Sequence, residues 1–386
     1  MYRIGVVTST RADYGLLSPI IKKLKGITEF NTDIIVTGMH LEEEYGYTYR
    51  EIEADGFAIS YKIRIQEAGN SCYDMTKTMA NVLTSFGELF AKKHYDLLVV
   101  LGDRYEMLAV CIAAVNEHIP IAHLYGGDTT EGALDECYRH SITKMSYLHF
   151  TSTKIARERV IRMGEDPERV FNVGAVGIEN ALKCELLSKH ELEQELGFSL
   201  GKKYAVVTFH PVTQEVNTAG EQINSLIEAL NTLKDYHFLI TKSNSDAGSR
   251  LINDCLEKFA SDNKNVHLVT SLGMKKYLSA LKYADFAIGN SSSGLMEVPC
   301  FGIPTINIGD RQKGRVQGNT IVNCLPNTQE IIDAVNRACN NEFVEQCKKC
   351  DNPYGDGKTS DKVVEVICDY LTNGKIEIKK MFYNGE

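Results

Sequence analysis

The sequence contains no tryptophan and no apolar run near the roughly 20 residues that a membrane-spanning helix requires. It also lacks the apolar core of a signal peptide, and the first strand-like segment follows directly after Met1. Hydrophobic residues nevertheless make up 43% of the 386, an ordinary share for a globular protein. We therefore expect a cytoplasmic protein with no membrane partner, long enough for two domains that each bury a core.

Basic residues are outnumbered, with 42 Lys and Arg against 51 Asp and Glu and a formal net charge of −9. This balance argues against nucleic acid or an anionic membrane as a partner. The 11 cysteines lack paired metal-binding spacing apart from Cys347-x-x-Cys350, so we expect reduced thiols and no zinc site. Any anionic ligand must then be bound by locally placed arginines and helix ends.

Short apolar segments alternate with amphipathic segments in the first half of the chain, which predicts a parallel, doubly wound α/β sheet. After the first predicted strand, Ser9–Gly15 is predicted as a loop and Leu16–Leu24 as a helix. The loop lacks the G-x-G-x-x-G pattern, so a dinucleotide is not indicated. The predicted strands are Arg3–Thr8, Asp33–Thr37, Leu97–Leu101, Pro120–Leu124, Tyr147–Phe150 and Val170–Val173.

A second series follows a polar helical stretch, Lys183–Leu196, which we interpret as the crossing between two domains. Two Rossmann-like domains are therefore expected, with the last helix at Thr359–Leu371. Ligands of such sheets bind beyond the carboxyl ends of the strands, so chemistry is expected in the loops after each strand. The strands of the second series are predicted at Tyr204–Phe209, Phe238–Thr241, Val266–Val269, Phe286–Ile288 and Thr305–Ile308.

The sharpest local signal is a turn of small residues, 290–294, between an apolar strand and a predicted helix start. Unpaired N–H groups and the helix dipole at such a turn favour a phosphate. Glu297 would share a helix face with the last serine and could bind two ribose hydroxyls, so the pair suggests a nucleotide. The alternative is that these residues only cap the helix. The hydroxyls of the turn belong to Ser291, Ser292 and Ser293.

Carboxylates gather after two neighbouring predicted strands of the first domain. Asp103 follows one strand, and Asp128, Glu131 and Asp135 follow the next. Because four clustered carboxylates repel one another, at least one should have a raised pKa and exchange protons near neutrality. The alternative is that Asp128 caps a helix and Asp135 pairs with Arg139, four residues later.

The remaining candidates are cationic or potentially so. His210 follows a predicted strand, where it could act as a cation that supports a leaving phosphate or as a proton donor to it. Arg11, Arg104 and Arg311 stand on three different loops and could clamp a diphosphate, since guanidinium binds phosphate oxygens in pairs. The alternative for each of these residues is a packing or surface role.

Seven motifs, read together and in order, resemble a known family. They are Thr10-Arg-Ala-Asp-Tyr-Gly, Val36-Thr-Gly-Met-His, Leu101-Gly-Asp-Arg-Tyr-Glu, Arg139-His-Ser-Ile-Thr-Lys-Met-Ser, Phe209-His-Pro, Ile288-Gly-Asn-Ser-Ser-Ser-Gly and Ile306-Asn-Ile-Gly-Asp-Arg-Gln-Lys-Gly-Arg. They resemble the hydrolysing UDP-N-acetylglucosamine 2-epimerases of bacterial sialic acid biosynthesis. The resemblance runs from Ile4 to about Phe382.

This resemblance implies a GT-B-like fold, with an active site in the cleft between two Rossmann-like domains. Residues 1–180 would hold the acid/base carboxylates and the sugar, 181–365 would bind UDP, and 366–386 would return toward the first domain. The implied products are N-acetylmannosamine and UDP, and neither a metal nor another cofactor is implied. We also expect a homo-oligomer, a dimer or a tetramer.

The resemblance also assigns roles to individual residues. The family's catalytic positions match Asp103, Asp135 and His210, and a substrate or phosphate contact matches Arg104. Its uracil contact matches the backbone near Leu272. Its UDP-binding positions match Arg11, Ser291, Ser292, Glu297 and Arg311.

One departure concerns the acid and base groups. Many relatives carry a catalytic Glu in a His-Ile-Glu-Gly-Gly sequence, and Tyr125 stands at that place here. Asp128 or Glu131 would then supply the missing acid.

Four other functions fit parts of this pattern. A related hydrolysing epimerase could act on nucleotide-linked N,N'-diacetylbacillosamine for legionaminic acid, and a non-hydrolysing UDP-N-acetylglucosamine 2-epimerase would keep the nucleotide on its product. The stretch 135–144 favours the hydrolysing branch. A nucleotide-sugar-binding regulator would not need the carboxylates, and a GT-B glycosyltransferase would need a groove for an acceptor.

Overall fold

The structure, a computed structural model, describes residues 1–65, 72–131, 134–212, 218–243 and 248–385. The chain divides into two compact units. Unit 1 comprises Met1–Asp128, Asp135–Glu179 and Gly355–Glu386, and unit 2 comprises Thr129–Leu134 and Asn180–Tyr354. No helix in these described ranges has the length and apolar character needed to cross a membrane.

Each unit contains one sheet whose paired strands are all parallel. The sheet of unit 1 has the order β3-β2-β1-β4-β5-β6-β7, and that of unit 2 has the order β10-β9-β8-β11-β12-β13. The strands are β1 (Tyr2–Thr8), β2 (Phe30–Thr37), β3 (Tyr61–Ile63), β4 (Leu97–Leu101), β5 (Ile121–Leu124), β6 (Leu148–Thr151), β7 (Val170–Asn172), β8 (Tyr204–Thr208), β9 (His237–Thr241), β10 (Val266–Val269), β11 (Phe286–Gly289), β12 (Thr305–Ile308) and β13 (Ile321–Cys324).

Helices follow most of the strands, as the alternating sequence predicts. Short 3₁₀ segments lie at Gly38–Leu41, Glu43–Tyr45, Pro167–Arg169 and Val298–Phe301. The α-helices are α1 (Arg11–Lys25), α2 (Tyr49–Ala54), α3 (Cys72–Lys92), α4 (Tyr105–Asn116), α5 (Asp135–Met145), α6 (Lys154–Arg162), α7 (Val176–Lys183), α8 (Lys189–Leu196), α9 (Ala219–Thr232), α10 (Ser249–Asp262), α11 (Gly273–Tyr283), α12 (Ser293–Met296), α13 (Thr328–Ala338), α14 (Asn341–Cys347) and α15 (Thr359–Thr372).

The prediction of two doubly wound, Rossmann-like α/β domains is confirmed. The central strands are buried over their whole length, since β4 has the sequence Leu-Leu-Val-Val-Leu and no exposed residue. Apolar side chains on both faces of such a strand pack against helices on both sides of the sheet. The sequence misses β3 and β13, because β3 is only three residues long and β13 alternates buried with less buried positions.

The predicted loop Ser9–Gly15 is wrong, because α1 already begins at Arg11. Thr10 is its N-cap and forms a capping box with Asp13, in which each side chain accepts a hydrogen bond from the other residue's backbone N–H. The predicted helix Lys183–Leu196 is only partly right. The preceding helix α7 ends at Lys183, and α8 begins only at Lys189, after Ser188 forms a capping box of its own.

The C-terminal segment belongs to unit 1, where a buried charge cluster holds it. Glu165 is fully buried and pairs with Lys144 at 2.6 Å, with Lys380 of the segment at 2.8 Å and with His149 at 3.0 Å. Burial alone would raise the pKa of the Glu165 carboxyl, but the hydrogen bonds from His149, Lys144 and Lys380 lower it to about 2. Glu165 is therefore ionised in the folded chain.

We predict that Glu165→Gln lowers the free energy of unfolding at neutral pH by about 2–3 kcal/mol, because the two lysines lose a buried counter-charge. The folded pKa lies below the ordinary value of 4.5, so this stabilisation is present above pH 4.5 and is lost as the pH falls toward 2. Urea unfolding of both proteins at several pH values measures it. Glu345→Gln, which breaks an exposed pair with Lys348, is the control and should change stability little. Equal stability of wild type and Glu165→Gln at pH 7 would contradict this account.

Candidate active site

Strand order reverses once in each sheet, and the predicted site residues follow the strands at those reversals. In unit 1 the reversal lies between β1 and β4, which are followed by Arg11 and by Asp103 and Arg104. In unit 2 it lies between β8 and β11, which are followed by His210 and by the serine turn 291–293. Helices on opposite faces diverge at such a point and leave a crevice, which is the usual ligand site of an open α/β sheet.

In unit 1, Arg139 of α5 organises the carboxylates. Its side chain is only 1% exposed, and it donates to the Asp103 carboxylate through Nε, at 2.8 Å, and through Nη2. Nη1 donates to Glu136 at 2.9 Å and to the carbonyl of Asp128 at 3.0 Å. The buried cation therefore fixes Asp103 at the end of β4 and ties it to the loop after β5.

The structure gives Asp103, Asp128 and Glu131 different partners. The Asp128 carboxylate accepts a hydrogen bond from Ser152 Oγ at 2.7 Å, and Asp135 lies in the first turn of α5. Glu131 falls in unit 2, where it is exposed and pairs with Lys313 at 3.9 Å. The alternative that Asp128 caps the helix is not supported, because α5 begins at Asp135 rather than near Asp128.

Among the described residues, Arg139 forms ion pairs with Asp103 and Glu136. The fold brings Asp103 to this side chain from the end of another strand, which the sequence spacing does not show. The sequence alone does not predict Glu136 and Arg139 as site residues, because only the fold brings them to Asp103.

Arg104 is held by a neighbour that the sequence also fails to predict. Its Nε lies 2.5 Å from Oε1 of Glu106, a side chain only 2% exposed, and this carboxylate raises the pKa of the guanidinium. Asp13 lies near both groups, and burial raises the pKa of its carboxyl while Arg104 opposes that shift. Among the described residues, Nη1 and Nη2 of Arg104 have no hydrogen-bond partner. Those two nitrogens can bind an anion.

The predicted diphosphate clamp is divided between the units. Arg11 belongs to unit 1, where its Nε lies 2.9 Å from Glu51 in an exposed pair. Arg104 also belongs to unit 1, and Arg311 belongs to unit 2. Each guanidinium already has an internal partner, so a phosphate would join these contacts or displace them.

Tyr125, at the place of the family's Glu, has a structural contact. Its hydroxyl accepts a hydrogen bond from the N–H of Val176, the first residue of α7, at 2.8 Å, and its φ is +69°. Gly127 follows with φ +79°, and a Cβ there would lie 2.4 Å from the carbonyl oxygen of Ala156. The chain at this turn therefore has little freedom, and the Tyr125 side chain caps a helix.

In unit 2, His210 is fixed by its backbone and its ring. The Asn290 side chain accepts a hydrogen bond from the N–H of His210 and donates one to its carbonyl, both at 2.8 Å. Nδ1 of the His210 ring lies 3.2 Å from Ser243 Oγ. Burial and the nearby Arg311 lower the pKa of His210 to about 3. This shift disfavours the cation, one of the two roles expected for His210. A neutral imidazole can still donate a hydrogen bond.

The serine turn does not start a long helix. The helix α12 has four residues and is followed by a 3₁₀ turn containing Pro299, so the helix dipole contributes less than expected. No side-chain capping bond is formed by Ser292 at its N-cap, and Ser293 accepts a hydrogen bond from Tyr277 at 2.8 Å. The capping alternative is therefore not supported for Ser292.

Three buried polar atoms near this turn have no hydrogen-bond partner in the described part of the chain. They are Oε2 of Glu297, Oε1 of Gln312 and Nε of Arg315. Burial raises the pKa of the Glu297 carboxyl. Leaving such groups unsatisfied is costly, and a polar ligand would relieve the cost. Leu272 is buried and is the N-cap residue of α11.

Comparison with known proteins gives the family. A family model described as UDP-N-acetylglucosamine 2-epimerase matches residues 22–368. The chain belongs to the UDP-N-acetylglucosamine 2-epimerase family. The family predicted from the sequence is therefore confirmed.

Two curated relatives are similar over most of the chain. Polysialic acid biosynthesis protein P7 of Escherichia coli is 40% identical over 383 residues, which are 99% of this chain and 97% of that protein. GDP/UDP-N,N'-diacetylbacillosamine 2-epimerase (hydrolyzing) of Campylobacter jejuni subsp. jejuni serotype O:2 is 40% identical over 321 residues, 83% of each chain. The chain is therefore an enzyme of a family that includes hydrolysing 2-epimerases of nucleotide sugars.

A solved structure supports the same fold. The UDP-GlcNAc 2-epimerase of Methanocaldococcus jannaschii, in complex with UDP-GlcNAc and UDP, has a TM-score of 0.77 and covers 95% of this chain and 99% of its own. The sequences are 20% identical, so this likeness shows the fold. The nucleotide sugar is a ligand of that protein.

Proposed function

We propose that this protein is a hydrolysing UDP-N-acetylglucosamine 2-epimerase, which converts UDP-N-acetylglucosamine and water into N-acetylmannosamine and UDP for sialic acid biosynthesis. In this mechanism, Asp103 and Asp135 of unit 1 move protons, and Ser291, Glu297 and Arg311 of unit 2 bind the nucleotide. The observation that carries the proposal is the Asp103 carboxylate, which the buried Arg139 holds at the reversal point of the first sheet. The guanidinium fixes the orientation of this carboxylate, and geometry is the first requirement of a general base.

The polar groups of unit 2 suit UDP. In this proposal, Glu297 accepts hydrogen bonds from the ribose hydroxyls, and the backbone near Leu272 contacts uracil. Ser291, Ser292 and Ser293 bind phosphate oxygens together with Arg311. The buried, unpartnered Oε2 of Glu297 supports this role, since a ribose hydroxyl would satisfy it.

The first half of the reaction removes UDP. The hydrogen on C2 of the sugar is not acidic, because no carbonyl is attached to that carbon. Cleavage of the bond between C1 and the diphosphate oxygen places positive charge on C1, and a carboxylate then removes the C2 proton. The electrons of the C2–H bond form the C1–C2 double bond of a glycal. Arg311, Arg104, Arg11 and a hydrogen bond from His210 stabilise the departing diphosphate.

The second half adds water to the glycal. A proton is delivered to C2 on the face opposite to the one it left, and water adds to C1. Two acid/base groups are needed because the two faces of the ring differ. We propose Asp103 and Asp135 for these roles, with Asp128 and Glu131 as the alternatives that Tyr125 makes necessary.

The identity of one relative favours a second substrate, nucleotide-linked N,N'-diacetylbacillosamine. The Campylobacter jejuni relative, whose name gives GDP/UDP-N,N'-diacetylbacillosamine as its substrate, is as similar in identity as the polysialic acid protein. A 2,4-diacetamido sugar would undergo the same elimination and hydration. Only contacts to C4 and C6 would differ.

We expect the purified enzyme to release N-acetylmannosamine and UDP from UDP-N-acetylglucosamine, with deuterium at C2 when the solvent is D₂O. The deuterium enters because the proton taken by one group is replaced from another in exchange with solvent. NMR of the products measures both outcomes, with UDP-N,N'-diacetylbacillosamine tested in parallel. If the enzyme turned over only UDP-N,N'-diacetylbacillosamine, that sugar would become the proposed substrate. Product carrying only hydrogen at C2 would exclude the glycal route.

We predict that Asp103→Asn and Asp135→Asn each lower kcat by about a hundredfold or more and change KM little, as loss of a proton-transfer group requires. Asn keeps the size and removes the charge. Asp128→Asn and Glu131→Gln are the matched variants and should keep most of the activity. The reverse pattern, with the second pair inactive and the first pair active, would move the acid and base to the loop after β5.

A further inference from the structure

We propose that Asn290 is a positioning residue of this reaction, which holds His210 and Arg311 in one arrangement through hydrogen bonds of its side chain and its backbone. This inference rests on the proposed function, in which His210 and Arg311 contact the leaving diphosphate. Asn290 itself is 1% exposed and directly follows β11. It acts through its neighbours rather than on the substrate.

The side chain of Asn290 fixes the backbone of His210. Oδ1 accepts a hydrogen bond from the N–H of His210, and Nδ2 donates one to the carbonyl of the same residue, both at 2.8 Å. The amide thus pairs with a residue beyond the end of β8 as a neighbouring strand would. Only a side chain with both a donor and an acceptor can make the two bonds, so Asp would keep one and Ala neither.

The backbone carbonyl of Asn290 holds the side chains of Arg311 and Gln312. It accepts from Nη1 of Arg311 at 3.2 Å and from Nε2 of Gln312 at 2.9 Å. The N–H of Asn290 donates to the carbonyl of Thr208 at 3.1 Å, which anchors the residue to β8. A displacement of Asn290 would therefore move a phosphate-binding guanidinium and an imidazole together.

Gly289, directly before Asn290, packs its backbone closely against β8. Gly289 has φ +140°, and a Cβ there would lie 1.9 Å from the carbonyl oxygen of Thr208. This close approach is open only to glycine. The position of Asn290 is therefore set by the pairing of β8 with β11, and the positions of His210 and Arg311 depend on it.

We test this with Asn290→Ala and Asn290→Asp, using Asn307→Ala as the matched control. Asn307 is also a buried asparagine at a strand of the same sheet, where it donates to Asn323 at 2.8 Å, and it is not bonded to His210 or Arg311. We expect both Asn290 variants to lower kcat and UDP affinity by about tenfold or more, since two buried hydrogen bonds are disturbed. Asn307→Ala should change either quantity less than Asn290→Ala does. Equal losses in the control and in the Asn290 variants would overturn the proposal.

Double-mutant cycles separate positioning from general loss of stability. In a His210→Gln background, Asn290→Ala should cause little further loss of kcat, and in an Arg311→Ala background it should cause little further loss of UDP affinity. Fully additive losses in both backgrounds would show that Asn290 does not act through these residues. Should Asn290→Ala not fold, Asn290→Asp enters the same two cycles.

A third readout needs no substrate. NMR titration of the His210 ring should give a higher pKa in Asn290→Asp than in wild type, because a carboxylate replaces an amide beside a ring that Arg311 already faces. An unchanged His210 pKa in that variant would overturn the proposed coupling. If wild type turned over neither sugar, the proposed function would fail while this titration still decided the role of Asn290.

Discussion

The carboxyl ends of parallel strands all lie at one edge of the sheet, and this constraint determines where the chain can do chemistry. In unit 1 it brings the loop after β1 next to the loop after β4, and in unit 2 it brings the loop after β8 next to the loop after β11. Residues distant in the sequence, such as Asp13 and Arg104 or His210 and Asn290, become neighbours for this reason. Each unit thus presents polar groups at one place on a largely apolar frame.

Burying those groups has a cost that the two units meet in different ways. Unit 1 places a guanidinium, Arg139, inside the fold and surrounds it with Asp103, Glu136 and a backbone carbonyl, all of which accept its hydrogen bonds. Unit 2 uses a neutral amide, Asn290, at its reversal point and leaves Glu297 Oε2 without a partner among the described residues. A buried polar atom left without a partner suits a site that is completed by its ligand.

Much of this architecture could be predicted from the sequence, because apolar runs such as Leu97–Leu101 and Val266–Val269 mark parallel strands whose bounds the structure reproduces. The hydrophobic pattern does not show where α1 starts, because polar residues form its first turn and its capping box. Motifs place Asp103 and Ser291 at strand ends in the sequence. Their partners could not be predicted, because Arg139 and Asn290 reach across strands, and no local pattern shows which side chain of a charged segment turns inward. The low pKa of His210 likewise depends on burial, which a strand-end position does not show.

The central claim is that unit 2 binds the nucleotide and unit 1 supplies the proton-transfer groups. Calorimetric titration of UDP into Arg311→Ala and Asp103→Asn tests this division most directly. We predict that Asp103→Asn binds UDP as tightly as wild type. Arg311→Ala should bind it at least tenfold more weakly, since a charge-assisted contact is worth about 1.5–3 kcal/mol. Weakened binding in Asp103→Asn together with wild-type affinity in Arg311→Ala would contradict the account.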